Sequence, residues 1–209
     1  AETARRSRGE WVVSIPLFDG VVAHAVLQRD ELATETGATW SGYLLDDASG
    51  SVLLSVVGEQ VVGRVWTASA EYRIEFAGDG QHRLVETDLR TQPEELAPLR
   101  VELPKVDRRS AAAQNAVGES GIDVLVGYTP EALAGAGNRS AMQAEVANMV
   151  AWANYSLRNS GISGRIRTVG VIPVEGTEIQ DDLYASLEQL RGGAGPMYLL
   201  DMERSSRGA

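Results

Sequence analysis

The chain has 209 residues and a 44% hydrophobic fraction, enough to bury a core and too apolar for global disorder. A formal net charge of −10 and a pI near 4.7 leave no basic face for a phosphate backbone, which argues against nucleic-acid binding. Cysteine is absent, which excludes disulfides, thiolate metal sites and cysteine nucleophiles, and the longest apolar run is strand-sized, too short to span a bilayer as a helix.

Residues 1–9 are polar and arginine-rich, and the opening Ala1-Glu2-Thr3-Ala4 has the character of an end left after removal of a signal peptide, which the chain itself lacks. From residue 10 to about residue 86, short apolar runs alternate with turn signals. The runs are 11–15, 21–27, 40–44, 51–57, 61–67, 71–76 and 82–86. The turns are Phe18-Asp19-Gly20, Asp46 through Gly50, Gly58-Glu59 and Gly78-Asp79-Gly80. Val52, Leu54 and Val56 alternate with Leu53, Ser55 and Val57, and Tyr72, Ile74 and Phe76 alternate with charges. This period of two predicts an antiparallel meander or sandwich.

Residues 88–120 differ. They carry Pro93, Pro98 and Pro104, then Lys105 through Arg109 and an alanine-rich stretch, and read as an exposed linker. From residue 121 the pattern becomes α/β. A strand at 122–126 precedes a short helix opened by Thr129-Pro130. The spacing of Met142, Val146, Met149, Val150, Ala153 and Leu157 predicts one apolar face on a helix over 138–159, with Ser140 and Gln143 as a capping box and Gly161 as its stop. A strand at 165–174 follows. Asp181 or Asp182 then caps a helix bearing Leu183, Leu187 and Leu190, which Gly192-Gly193 ends, and 197–204 forms a last short helix. The organisation is thus a β-rich domain over 1–87, a linker over 88–120 and an α/β unit over 121–209, an α+β chain whose order ends without a third strand.

The residues able to carry chemistry are few. His24 and His82 fall on predicted strands, and neither has a second histidine at i+4, so both read as structural or surface groups. No Gly-x-Ser-x-Gly elbow exists. Gly192-Gly193-Ala194-Gly195 lacks the Lys-Ser/Thr of a phosphate loop and follows a helix. Asp46-Asp47 and Asp181-Asp182 could meet a hard cation, but turn formation and helix capping account for them. Trp11, Trp40 and Trp66 lie on strands, as core or half-core residues rather than a stacking platform. No residue is assigned as catalytic, cofactor-binding or metal-ligating.

Residues 122–132, from Ile122-Asp123-Val124-Leu125-Val126 through Gly127-Tyr128-Thr129-Pro130, resemble the opening strand of a reprolysin-like zincin catalytic domain, the branch that includes bacterial peptidyl-Asp metalloendopeptidases. The helix end at Ala151 through Ile162 and the alternating Arg165-Ile166-Arg167-Thr168-Val169-Gly170 are similar to the next parts of that family. Upstream, Trp40-Ser41-Gly42, residues 50–56, Val62 through Val65 and Glu71 through Ile74 resemble β-rich, sandwich-like pro-regions of secreted metallopeptidases.

The resemblance implies a bacterial, secreted precursor: a pro-domain over 1–87, a pro-segment over 88–120 and an incomplete zincin lobe over 121–209. The parent would use zinc and cleave protein or peptide substrates. The family's His-Glu-x-x-His helix is missing, since no histidine occurs after His82. This chain is therefore expected to bind no catalytic zinc and to be inactive alone. It is expected to associate with the missing catalytic segment or with itself, and not with nucleic acid or a membrane. A non-enzymatic β-sandwich binding or inhibitor module is the alternative.

Overall fold

Tight turns and alternating apolar residues fold the first part of the chain back on itself strand by strand. The computed structural model describes residues 3–6, 10–30, 37–89, 121–174, 185 and 196–208. Eight strands, β1 (Thr3–Arg6), β2 (Glu10–Pro16), β3 (Val22–Asp30), β4 (Ala38–Leu44), β5 (Ser51–Val57), β6 (Gln60–Trp66), β7 (Ala70–Gly78) and β8 (Gln81–Asp88), pair antiparallel in chain order within one sheet. At the β7–β8 turn, Asp79 and Gly80 both take left-handed backbone, with φ of 49° and 73°. That is the mirror-image turn whose twist matches the strands it joins.

The sheet is curled rather than stacked into a sandwich. Phe18, between β2 and β3, sits 6.4 Å ring to ring from Tyr72 on β7. In a flat sheet β3 and β7 would stand four spacings of about 4.8 Å apart, so the edges must bend toward each other. Ile15, Ala23, Ala25, Leu27, Leu44, Val52 and Val65 fill the concave side, with Val13, Trp40, Leu54 and Tyr72 around them. A Cβ at Gly42 would run into the Val26 carbonyl, so only glycine lets β3 and β4 approach so closely there. A sandwich would bury the other face with a second sheet; here a helix takes that place.

The remaining elements are β9 (Gly121–Tyr128), α1 (Pro130–Ala136), α2 (Arg139–Asn159), β10 (Arg165–Pro173) and α3 (Pro196–Arg207). Thr129 caps α1 through Ala132 N, with Pro130 in its first turn. Asn138, not a Ser140–Gln143 box, caps α2 by accepting from the Ala141 amide at 2.8 Å. Gly161, at φ 72°, stops it: the Gly161 and Ile162 amides return to the Arg158 and Leu157 carbonyls, a Schellman end. β9 and β10 pair parallel from Gly121↔Arg165 to Tyr128↔Pro173. α3 lies against β9, with Leu200 over Gly127. The expected linker beyond Leu89, Asp181-Asp182 and the 192–195 glycine run fall outside the described residues.

The long helix departs from its expected single stripe. Met142, Val146 and Val150 are buried as expected, with Tyr128, Ala136, Phe76 and Ile166 around them, but Met149 is 58% exposed. A second face, Ala144, Asn148 and Ala151, lies roughly opposite and is also buried. It packs on the convex side of the meander: Ala151 against Leu53 and Trp66, Ala144 against Val57 and Val62. Small residues there let the helix lie close to the strands. Elements from either side of the expected linker thus meet on α2.

Replacing Val150 with Asp places an unpartnered carboxylate in an apolar cluster, which costs several kcal/mol. Urea unfolding of Val150→Asp is expected to shift strongly to lower denaturant, while Met149→Asp, one position away on the open side, leaves the midpoint close to the parent's.

Candidate functional site

Four of the residues singled out in the sequence serve structural ends. His24 Nδ1 shares a hydrogen bond with Ser14 Oγ at 3.1 Å. His82 Nε2 accepts from the Val61 amide at 3.0 Å, and its ring meets Phe76 edge-on. The two histidines lie on β3 and β8, five strands apart in the sheet order. Asp47 accepts from the Ser49 amide and hydroxyl and from the Ala68 amide, tying the β4–β5 turn to the β6–β7 turn. The Ser49 hydroxyl, then the Ala68 amide, hold its carboxyl below the usual range. Trp66 is half-buried, as expected, and stacks on Trp152 of α2 at 4.0 Å.

The junction between α2 and the meander holds polar groups that the sequence did not reveal. Thr39 Oγ1, Ser55 Oγ and Asn148 Nδ2 form a buried chain, at 3.1 Å and 3.3 Å, and Asn148 also reaches the Val62 carbonyl at 3.5 Å. On the other flank, Asn154 donates to the Ile166 carbonyl at 2.9 Å and accepts from its amide at 2.7 Å, fixing α2 to β10. Further along, Trp152 stacks on Tyr155, Arg158 lies over that ring, and the Arg158 guanidinium donates to Ser41 Oγ at 3.2 Å. These contacts join residues as far as 117 positions apart, which no local pattern encodes. The one sequence signal was two asparagines inside a helix, a residue type that such interiors disfavour unless its amide is used.

Beside this junction lies a cleft of about 180 Å³ lined by Arg64, Arg73, Glu75, Glu145, Asn148 and Met149, among others. Arg64 is bound to Glu71 at 2.7 Å, and Glu75 takes Arg83 at 2.8 Å and Arg73 at 3.4 Å. The arginines are thus already committed to other carboxylates. Burial first, then the Glu75 charge, pushes the Glu145 carboxyl up, against the pull of Arg64 and Arg73.

A second concavity lies inside the curl of the meander. Trp11, Val13, Leu27, Arg29, Trp40, Leu54 and Val56 line an open trough of about 390 Å³. Six of the seven are apolar or indole side chains, and the seventh is the exposed Arg29. Among the described residues, no group of three or more His, Asp or Glu side chains converges as a metal site. No family model matches the chain, and no curated protein does.

The raised Glu145 carboxyl sets a pH dependence. Its folded-state pKa lies above the unfolded value, so ionisation on going to neutral pH destabilises the fold, and the penalty disappears once pH falls below the unfolded pKa. Glu145→Gln is expected to raise the thermal midpoint by roughly 2 °C at neutral pH. The gain should vanish near pH 3, well below the unfolded pKa of about 4.3, where both states are protonated. Calorimetry at the two pH values checks this; an equal gain at both would locate the effect elsewhere.

Proposed function

We propose that this chain is the β-rich pro-region and first α/β segment of a secreted bacterial zinc metalloendopeptidase precursor of the reprolysin-like zincin kind. One observation supports this reading above others. The meander packs directly on the long helix of a strand–helix–strand unit, and does so through an alanine-lined face and a buried asparagine bridge. That is the relation a pro-region needs if it is to template a catalytic lobe or hold it latent. With no cysteine in these residues to place a thiolate on the metal, latency would need a carboxylate, a histidine or steric cover.

Among the described residues, no set fits zinc. Three protein ligands and an open position are needed, borderline-soft zinc favours nitrogen and sulfur, and both histidines are engaged on separate strands. On this reading the zinc donors, and the glutamate that activates water, belong to a segment outside the 209 residues, and no step of peptide hydrolysis is assigned to the residues here. The full precursor would act on protein or peptide substrates. This chain by itself would pair with its catalytic segment or with another copy. Its acidity gives no basis for nucleic-acid binding, and no described helix is long and apolar enough to cross a membrane. The alternative, a non-enzymatic β-rich binding or inhibitor module, is favoured by the open trough inside the curl.

The test is the longer reading frame. A precursor extended beyond Ala209 is expected to bind one zinc and, once the meander is cleaved away, to hydrolyse peptides in a chelator-sensitive way; the 209-residue chain should do neither. Absence of zinc binding and of cleavage in the extended protein would overturn the precursor reading. Stoichiometric zinc binding by the 209-residue chain would do so as well.

A further inference from the structure

We propose that the concave face of the meander binds a single-chain amphiphile with a carboxylate head, its alkyl tail lying in the trough and its head on Arg29. The inference concerns the meander alone and stands whether or not the peptidase reading holds.

Strand register builds the trough. Trp11, Leu27 and Gly42 sit side by side on β2, β3 and β4, and Arg29, Trp40, Leu54 and Gly63 form the next row across β3 to β6. Each row ends its run of large side chains at a glycine. A Cβ at Gly63 would strike Leu54, so the floor is kept low where a chain could lie. The walls are indole and aliphatic, and Trp11 is 38% exposed, leaving apolar surface in contact with water inside a concavity. The volume, about 390 Å³, falls at the lower end of the range usual for small-molecule sites, about 300–1,000 Å³. It suits one alkyl chain and is too small for a two-chain lipid.

Charge selects the head group. Arg64, Arg73, Arg83, Arg167, Arg204 and Arg207 are each paired with a carboxylate. Arg29, like Arg139, Arg158 and Arg165, has no such partner among the described residues, and of these four it alone lines the trough, although the chain carries an excess of acidic groups. A guanidinium without a carboxylate partner among the described residues, set beside an apolar slot, offers the fork that a carboxylate fills with two hydrogen bonds. A cationic or uncharged head would leave that fork unused.

The experiment is a titration of the whole 209-residue chain with dodecanoate, dodecanol and dodecyltrimethylammonium, each below its micelle threshold, followed by indole fluorescence and calorimetry. Dodecanoate is expected to bind saturably at one per chain, about tenfold more tightly than dodecanol, with the cation weakest. Arg29→Gln, at an exposed position, should lower dodecanoate affinity to the dodecanol level and leave dodecanol unchanged. The fluorescence change should be lost in a Trp11→Phe, Trp40→Phe double variant and kept in Trp152→Phe, whose indole lies on the other side of the sheet. The proposal is overturned by equal affinity for all three heads, by binding that appears only at micelle onset, by a signal that follows Trp152, or by no saturable binding at all.

Discussion

The structure depends on one helix being buried from two sides. α2 presents Met142, Val146 and Val150 to the parallel strand pair and Ala144, Asn148 and Ala151 to the meander. A helix with one apolar stripe would finish one core; this one closes two. The small residues on the sheet side bring backbone near backbone, and the larger ones on the other side fill the space between helix and strands. Take away either covering layer and an apolar face of α2 would be left in water, which a helix of ordinary composition does not tolerate.

Polar groups at the same junction fix how the layers sit. Hydrophobic contact alone is non-directional and would let the helix slide along the strands. Asn148 reaches Ser55 and the Val62 carbonyl, and Asn154 grips both polar groups of Ile166. Each amide is satisfied in only one position of the helix, so register is specified by hydrogen bonds whose loss would strand buried groups. The charged cleft beside them is less settled: Glu145 is drawn into partial burial, while the nearby arginines are held by Glu71 and Glu75.

Much of the fold was legible because its signals are local. The strand runs from Trp11 to Glu86, the turns at Gly58 and Asp79-Gly80, Pro130 in the first turn of α1 and Gly161 at the stop of α2 all read off residues within a few positions of one another. What the sequence did not give away was long-range. The alternation of β2 to β8 says that one face is buried, not whether a second sheet or a helix buries the other, and Trp66 is half-buried as its strand pattern predicts, but its partner Trp152 is 86 positions away. Six apolar positions suggested a single stripe on α2; the alanines opposite carry too little hydrophobic contrast to announce a second. The trough was hidden for a similar reason, since Trp11, Arg29 and Trp40 come together only once β2, β3 and β4 pair in register.

The hydrogen bond between Asn148 and Ser55 closes a loop of 93 residues, whereas neighbouring strands of the meander meet through connections of a few residues. Chain-closure entropy therefore sets a time order on assembly. The hairpins can form early from local contacts, but their convex face has no cover until the helix arrives, and the parallel pair β9–β10 cannot form before the chain has crossed over through that helix. A slow step in which α2 is captured between two half-made surfaces is built into this topology, and until it is complete the species in solution would expose Leu53, Val57 and Val62, the surface most apt to stick to another chain.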